Sequence, residues 1–129
     1  MTPQRVVLDT DIVIDLLKKV APTVDRFLAL AASNVTFLVS PVVVAEVYAG
    51  AFEREHKDIE SFFNLCQHIV LDRHAGRLAG HYANRYSKAF QGISLEDYLL
   101  AGTARALQCP LWTHNRKHYP MDDIALLPD

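Results

Sequence analysis

The chain has 129 residues, half of them apolar and 22% charged, which is enough for one compact core and too little for two. A formal charge of −2 argues against broad electrostatic affinity for nucleic acid, so any such contact has to be local, through a basic patch or a bound cation. No run reaches the roughly 18 apolar residues of a membrane-spanning helix, and Asp9, Asp11 and Asp15 interrupt the place where a signal peptide needs its apolar segment.

A single cytoplasmic domain, 1–129, is therefore expected, without a membrane partner. Cys66 and Cys109 stand alone, with neither zinc-site nor disulfide-framework spacing, and read as buried thiols.

In chain order, short β-branched runs alternate with longer helical patterns, the signature of an α/β domain with a mostly parallel sheet of four to five strands flanked by helices. Residues 5–8 read as the first strand and 12–19 as a helix. Pro22 suits the first turn of a second helix ending near Ser33, and 35–39 reads as the second strand. Ser40 before Pro41 is a helix start, with the helix running to about Glu55. A helix over 57–66, a strand over 68–71 and a long amphipathic helix over 73–90 follow, and Gly92 breaks the pattern. Ser94 caps a helix to about Cys109, 111–113 forms a fourth strand, and 124–127 can add a fifth.

The acidic residues carry the functional argument. Asp9 falls at the carboxyl end of the first strand, the edge where open α/β sheets bind ligands. Glu46 lies two turns into its helix among Val42, Val43, Ala49 and Gly50, an apolar face on which an ionised carboxylate calls for a compensating cation. Asp97 is the third residue of the helix capped by Ser94, so it either completes a capping box or serves a site. Together the three can converge on one sheet edge as hard oxygen ligands for Mg2+ or Mn2+.

Three segments resemble the acidic motifs of PIN domains: Val6-Val7-Leu8-Asp9-Thr10-Asp11, Val43-Val44-Ala45-Glu46-Val47-Tyr48-Ala49-Gly50 and Leu95-Glu96-Asp97-Tyr98-Leu99-Leu100-Ala101. A fourth, Leu111-Trp112-Thr113-His114-Asn115-Arg116-Lys117-His118-Tyr119-Pro120, is similar to the closing threonine-x-asparagine segment of VapC toxins. The resemblance covers roughly residues 5–120. It implies a three-layer PIN-like fold, a Mg2+- or Mn2+-dependent endoribonuclease leaving 5′-phosphate and 3′-hydroxyl ends, a cognate VapB-like antitoxin and a homodimer. It also implies Asp9, Glu46 and Asp97 as metal-binding catalytic acids, with Thr113 and Asn115 in support.

Many relatives place a fourth acid where this chain has Asn115 or His118, which leaves the second metal position open. Asp11 is the nearest spare acid. It can be a ligand, or a first-turn residue favoured by the helix dipole. Arg116, Lys117 and His118 adjoin Asn115 and are candidate phosphate contacts. The stripe Arg73, Arg77, His81, Arg85 and Lys88 can follow an RNA backbone, receive an acidic antitoxin segment, or be a solvated face. Asp15 and Lys19 read as a surface ion pair at four-residue spacing, and a zinc site on His114 and His118 is discounted for want of other soft ligands.

Two other classes share features with the chain. Asp9-Thr10-Asp11-Ile12-Val13 fits the opening of haloacid-dehalogenase-type phosphatases, but Asp122 follows Thr113 by only nine positions, too close for the lysine-bearing element and a strand between them. A receiver-type signalling domain needs a phosphoacceptor Asp at the end of a central strand, where Ser40 and Pro41 stand instead. Neither explains Glu46.

Overall fold

Val6, Val7 and Leu8 are fully buried, and the strand they build, β1 (Arg5–Leu8), lies inside the sheet. The computed structural model describes residues 3–128. After β1 come α1 (Thr10–Leu17), α2 (Ala21–Ala32), β2 (Thr36–Val39), α3 (Pro41–Ala49), a 3-10 turn (Glu53–Glu55), α4 (His56–Phe63), β3 (Gln67–His68), α5 (Arg73–Tyr86), α6 (Leu95–Leu107), β4 (Leu111–Trp112) and a second 3-10 turn (Arg116–His118).

The four strands pair in the order β3-β2-β1-β4, and every pairing is parallel. Connections thus run one way from β1 to β2 and β3, and the opposite way to reach β4. With right-handed crossovers, that reversal puts the helices on both faces of the sheet. It also opens a crevice at the carboxyl ends of β1 and β4, where the direction switches. In keeping with this, α1 packs against α2, α3 and α4, and α5 packs against α6. The α5–α6 approach is close: a Cβ on Gly102 would lie 2.7 Å from the Ala75 carbonyl oxygen. α6 is therefore held firmly, and with it the residues at its amino end.

Several boundaries differ from the sequence reading, each for a local reason. α1 begins at Thr10 because the Asp9 carboxylate caps it, accepting from the Thr10 N–H at 2.7 Å. α3 starts at Pro41 under the Ser40 cap but stops at Ala49, with Gly50 as its C-cap. Residues to Glu55 do not extend it, because Phe52 turns extended and its N–H donates to the Glu55 carboxylate at 2.8 Å, starting a new turn. α4 stops at Phe63 and α5 at Tyr86, short of Cys66 and Phe90. α6 ends at Leu107, where Gln108 takes a left-handed conformation at φ 53°, a place usually held by Gly. β3 holds only Gln67 and His68, and Val70, expected within it, is 85% exposed. The expected fifth strand is reduced to a single parallel bridge between Leu111 and Leu126.

Cys109 is buried, whereas Cys66 is only partly so, with its thiol pushed up to about 12 by burial. Among the described residues no helix is long and apolar enough to cross a membrane.

Candidate active site at the carboxyl ends of the first and fourth strands

Asp9 leaves the end of β1 as the cap of α1, and its buried carboxylate collects donors from three parts of the chain. Oδ1 accepts from the Thr10 N–H, while Oδ2 accepts from the Thr113 hydroxyl at 2.8 Å and the Tyr119 hydroxyl at 3.0 Å. Thr113 follows β4 directly, so the parallel β1–β4 pairing sets it opposite Asp9. Its single proton goes to Asp9 rather than to Asp11 Oδ2 at 3.5 Å, and its oxygen accepts from the Asn115 N–H at 2.9 Å. Burial raises the Asp9 pKa, the neighbouring Asp97 charge adds to the rise, and hydrogen bonds from Thr113, Thr10 and Tyr119 offset part of it.

Asp97 takes the capping role and also faces the other acid of the cluster. In the capping box of α6, its N–H donates to Ser94 Oγ at 3.1 Å and its Oδ2 accepts from the Ser94 N–H at 3.2 Å. The same Oδ2 lies 3.0 Å from His118 Nδ1, and Oδ1 lies 3.3 Å from the Tyr119 hydroxyl oxygen, whose single proton goes to the nearer Asp9 Oδ2. His118 Nδ1 is also 2.9 Å from the Asn115 side-chain amide. One ring nitrogen cannot accept from Asn115 and donate to Asp97 together. Which of the two contacts it makes depends on the His118 tautomer: protonated at Nδ1 it donates to Asp97, and unprotonated there it accepts from the Asn115 amide.

Tyr119 has no role in the sequence reading beyond its place in the closing segment, yet its hydroxyl joins the two acids. The residue is 4% exposed, and burial followed by the charges of Asp9 and Asp97 drives the phenol well above its ordinary pKa. No local pattern reveals this, because Asp9 and Tyr119 are 110 positions apart.

Glu46 is tied to the cluster through Thr10, whose hydroxyl donates to Glu46 Oε1 at 2.8 Å. It is exposed, and so the desolvation argument for a cation beside it does not hold. Asp11 Oδ2 accepts from the His114 N–H at 2.9 Å, but Oδ1 is buried with no hydrogen-bond partner among the described residues. Burial and the Asp9 charge raise the Asp11 pKa.

Asp15 does not pair with Lys19. Its Oδ2 takes the Thr23 hydroxyl and His114 Nε2, both at 2.8 Å, because the first turn of α2 and the closing segment reach it. Arg116 donates to the Leu127 carbonyl at 2.9 Å. Lys117 and His118 line a groove with Ala89, Phe90, Gln91 and Gly92.

A raised acid binds its proton more tightly folded than unfolded, so its contribution to stability is complete below the ordinary carboxylate range and fades as pH rises above it. Asp11→Asn keeps an acceptor for His114 and drops the buried charge. In chelator at pH 7 the variant is expected to melt above the parent chain, with the gap closing below about pH 4 as Asp11 takes up its proton. Thermal melts across that range check this, and an equal gap at every pH would contradict it.

Two features of this cluster suit a divalent cation: two closely placed carboxylates that repel one another, and an orphaned buried oxygen on Asp11. As the side chains stand, no three His, Cys, Asp or Glu among the described residues are arranged to hold a metal ion. Ligation by Asp9, Asp97 and Glu46 together requires the exposed Glu46 to leave Thr10.

Comparison with known proteins identifies the fold. Residues 6–124 match the PIN domain family. Ribonuclease VapC19 of Mycobacterium tuberculosis is 31% identical over 114 residues, spanning 88% of this chain and 91% of that protein. Ribonuclease VapC10 of the same organism is 28% identical over 116 residues, spanning 90% and 86%.

Among solved structures, a chain in VapBC2 from Rickettsia felis bound to a DNA fragment from their promoter superposes with a TM-score of 0.83 at 22% identity, covering 95% of this chain and 97% of that one. A chain in VapBC-1 from nontypeable Haemophilus influenzae gives 0.80 at 23%, covering 95% and 96%. The phosphatase and receiver readings are displaced, and the chain belongs to the PIN domain family, with relatives among the VapC ribonucleases.

Proposed function

We propose that the chain is a Mg2+- or Mn2+-dependent endoribonuclease, the toxin of a VapBC-type pair, acting as a homodimer and restrained by a VapB-like antitoxin. The observation that carries the reading is the pair Asp9 and Asp97, brought to one hydroxyl from opposite ends of the chain at the switch point of the sheet. Family membership and the named ribonuclease relatives supply the reaction.

Asp9, Asp97 and, once released from Thr10, Glu46 would hold the cation, with Asp11 facing it from the first turn of α1. A divalent ion bound there supplies Lewis acidity and a lowered pKa for the attacking water. The remaining tasks fall to the chain. Thr113 fixes Asp9 from below, and its oxygen anchors the Asn115 N–H at 2.9 Å, which sets the closing segment against the acids. His118, next to Asp97, and Lys117 beside it stand on the lip of the groove, where they would meet phosphate oxygens. Asn115, an amide at a place where relatives carry an acid, would order water or substrate rather than ligate strongly.

The test is direct. Purified chain incubated with RNA is expected to cleave it with Mg2+ or Mn2+ and to stop in chelator. Undiminished cleavage in chelator would remove the assignment.

A further inference from the structure

The exposed face of α5 has no part in the cluster just described, and its charge is unlike that of the rest of the chain. Residues 73–95 contain Arg73, Arg77, Arg85 and Lys88 and not one Asp or Glu, although the whole chain carries fifteen acids against thirteen bases. Ala75, Ala79 and Tyr82 bury the opposite face of α5. Arg73, Arg77, His81 and Arg85 are all exposed at four-residue spacing and so form one stripe, which the exposed Lys88 continues in the turn after α5.

Among the described residues, Arg73, Arg77, His81 and Lys88 make no side-chain hydrogen bond or ion pair, and Arg85 lies over its neighbour Tyr86 at 5.4 Å. The one carboxylate bordering the groove beside Arg77, His81 and Arg85 is Asp123, which is occupied by the Tyr82 hydroxyl at 2.7 Å and by Arg105 at 3.4 Å.

The stripe leads to the reacting centre. α5 and α6 pack as a hairpin, with Gly102 of α6 against Ala75 and Ala79 near the start of α5. The carboxyl end of α5 therefore lies beside Asp97 at the start of α6. There the segment Ala89–Gly92 and the pair Lys117 and His118 line the groove whose His118 stands 3.0 Å from Asp97. Basic side chains thus run from Arg73 along α5, about 20 Å at 1.5 Å per residue, and on to the acids.

Resting on the ribonuclease reading, we propose that this face of α5 is the track for the RNA strand on one side of the scissile phosphate, with Arg77, Arg85 and Lys88 as phosphate contacts. Evenly spaced cations match a ligand of evenly spaced charge. A folded partner would want an apolar centre to its footprint, and along α5 itself the stripe offers only the half-buried Leu78, the exposed Phe90 lying past the end of the helix. Arginine forks also suit phosphate oxygens. Because the contacts are to the backbone, they add affinity without base preference.

The experiment measures binding of a fluorescein-labelled single-stranded RNA of about twelve nucleotides to the non-cleaving Asp97→Asn chain across a range of salt. Each lost phosphate contact lowers the slope of log K against log salt by about 0.7, so Arg77→Ala with Arg85→Ala is expected to lower it by about 1.4. In the cleaving chain the same pair should raise KM about tenfold, while Arg77→Lys with Arg85→Lys keeps most of the slope.

An unchanged slope and KM would overturn the proposal. So would an equal fall in slope from Lys19→Ala with Lys57→Ala, exposed lysines away from α5, since net charge alone would then explain it. Displacement of the RNA by polyglutamate as effectively as by RNA of equal charge would overturn it too, and assign the face to an acidic protein segment. A parent chain that cleaves no RNA with either metal defeats the ribonuclease reading instead, a result that the salt slopes do not resemble.

Discussion

Asp97→Asn is expected to reduce metal-dependent RNA cleavage by at least about a hundredfold while leaving the fold intact. A bound divalent ion contributes several kcal/mol of charge stabilisation in phosphodiester hydrolysis, and about 1.4 kcal/mol is a factor of ten. The amide removes one of the two negative charges that face the Tyr119 hydroxyl.

Asn is the informative replacement because Asp97 has a second task. Its Oδ2 accepts from the Ser94 N–H in the capping box of α6, and an amide oxygen can continue to do so. Asp97→Ala would also lose that cap, at about 1 kcal/mol, and mix a stability effect into the rate. Asp9→Asn is less clean for a similar reason. Asp9 accepts three hydrogen bonds through both oxygens, and an amide nitrogen cannot accept any of them. Cleavage rates beside urea melts of the two chains check the prediction. Equal melts with a full rate for Asp97→Asn would take Asp97 out of the site.

What was legible in the sequence follows from how locally each feature is determined. β1 and β2 come through because short β-branched runs bury fully between layers, and the α6 cap because Ser94 and Asp97 are three residues apart. Helix ends were harder. α3 reads as continuing past Gly50 until the Phe52 N–H is seen to bond to Glu55.

Contacts made across the whole chain were least visible. Asp15 has Lys19 four residues away, an adequate partner on paper, yet it takes Thr23 and His114, which only the fold brings near. Glu46 looked buried among valines but is exposed, because α3 turns that side outward and buries Val43 and Val47 instead. For Tyr119 the sequence offers a residue type and a position. Its function as a clasp depends on β1, α6 and the closing segment meeting at one point.

That clasp supports the second large effect expected, on metal affinity in Tyr119→Phe. An ionised carboxylate has about four acceptor positions, two on each oxygen. On Asp9, Oδ2 is filled by Thr113 and Tyr119, and Oδ1 has taken the Thr10 N–H. On Asp97, Oδ2 faces the Ser94 N–H and His118, and Oδ1 lies 3.3 Å from the Tyr119 hydroxyl oxygen without its proton. Asp9 therefore keeps one open position on Oδ1 for a cation, and Asp97 keeps its Oδ1.

Without the hydroxyl a second position opens on Asp9, and the two like charges lose the polar group that stands between them. The phenyl ring still fills the buried space, so packing is largely kept. Groups that orient metal ligands in this way typically change metal affinity or activity by about 10–100-fold. Calorimetric titration with Mn2+ is expected to give a dissociation constant higher by that factor in Tyr119→Phe. Cleavage should return toward the parent rate at high Mn2+, a recovery denied to Asp97→Asn, which lacks the carboxylate proposed as the ligand. If Tyr119→Phe binds Mn2+ as tightly as the parent or more so, the hydroxyl competes with the metal or ignores it, and the positioning role is wrong.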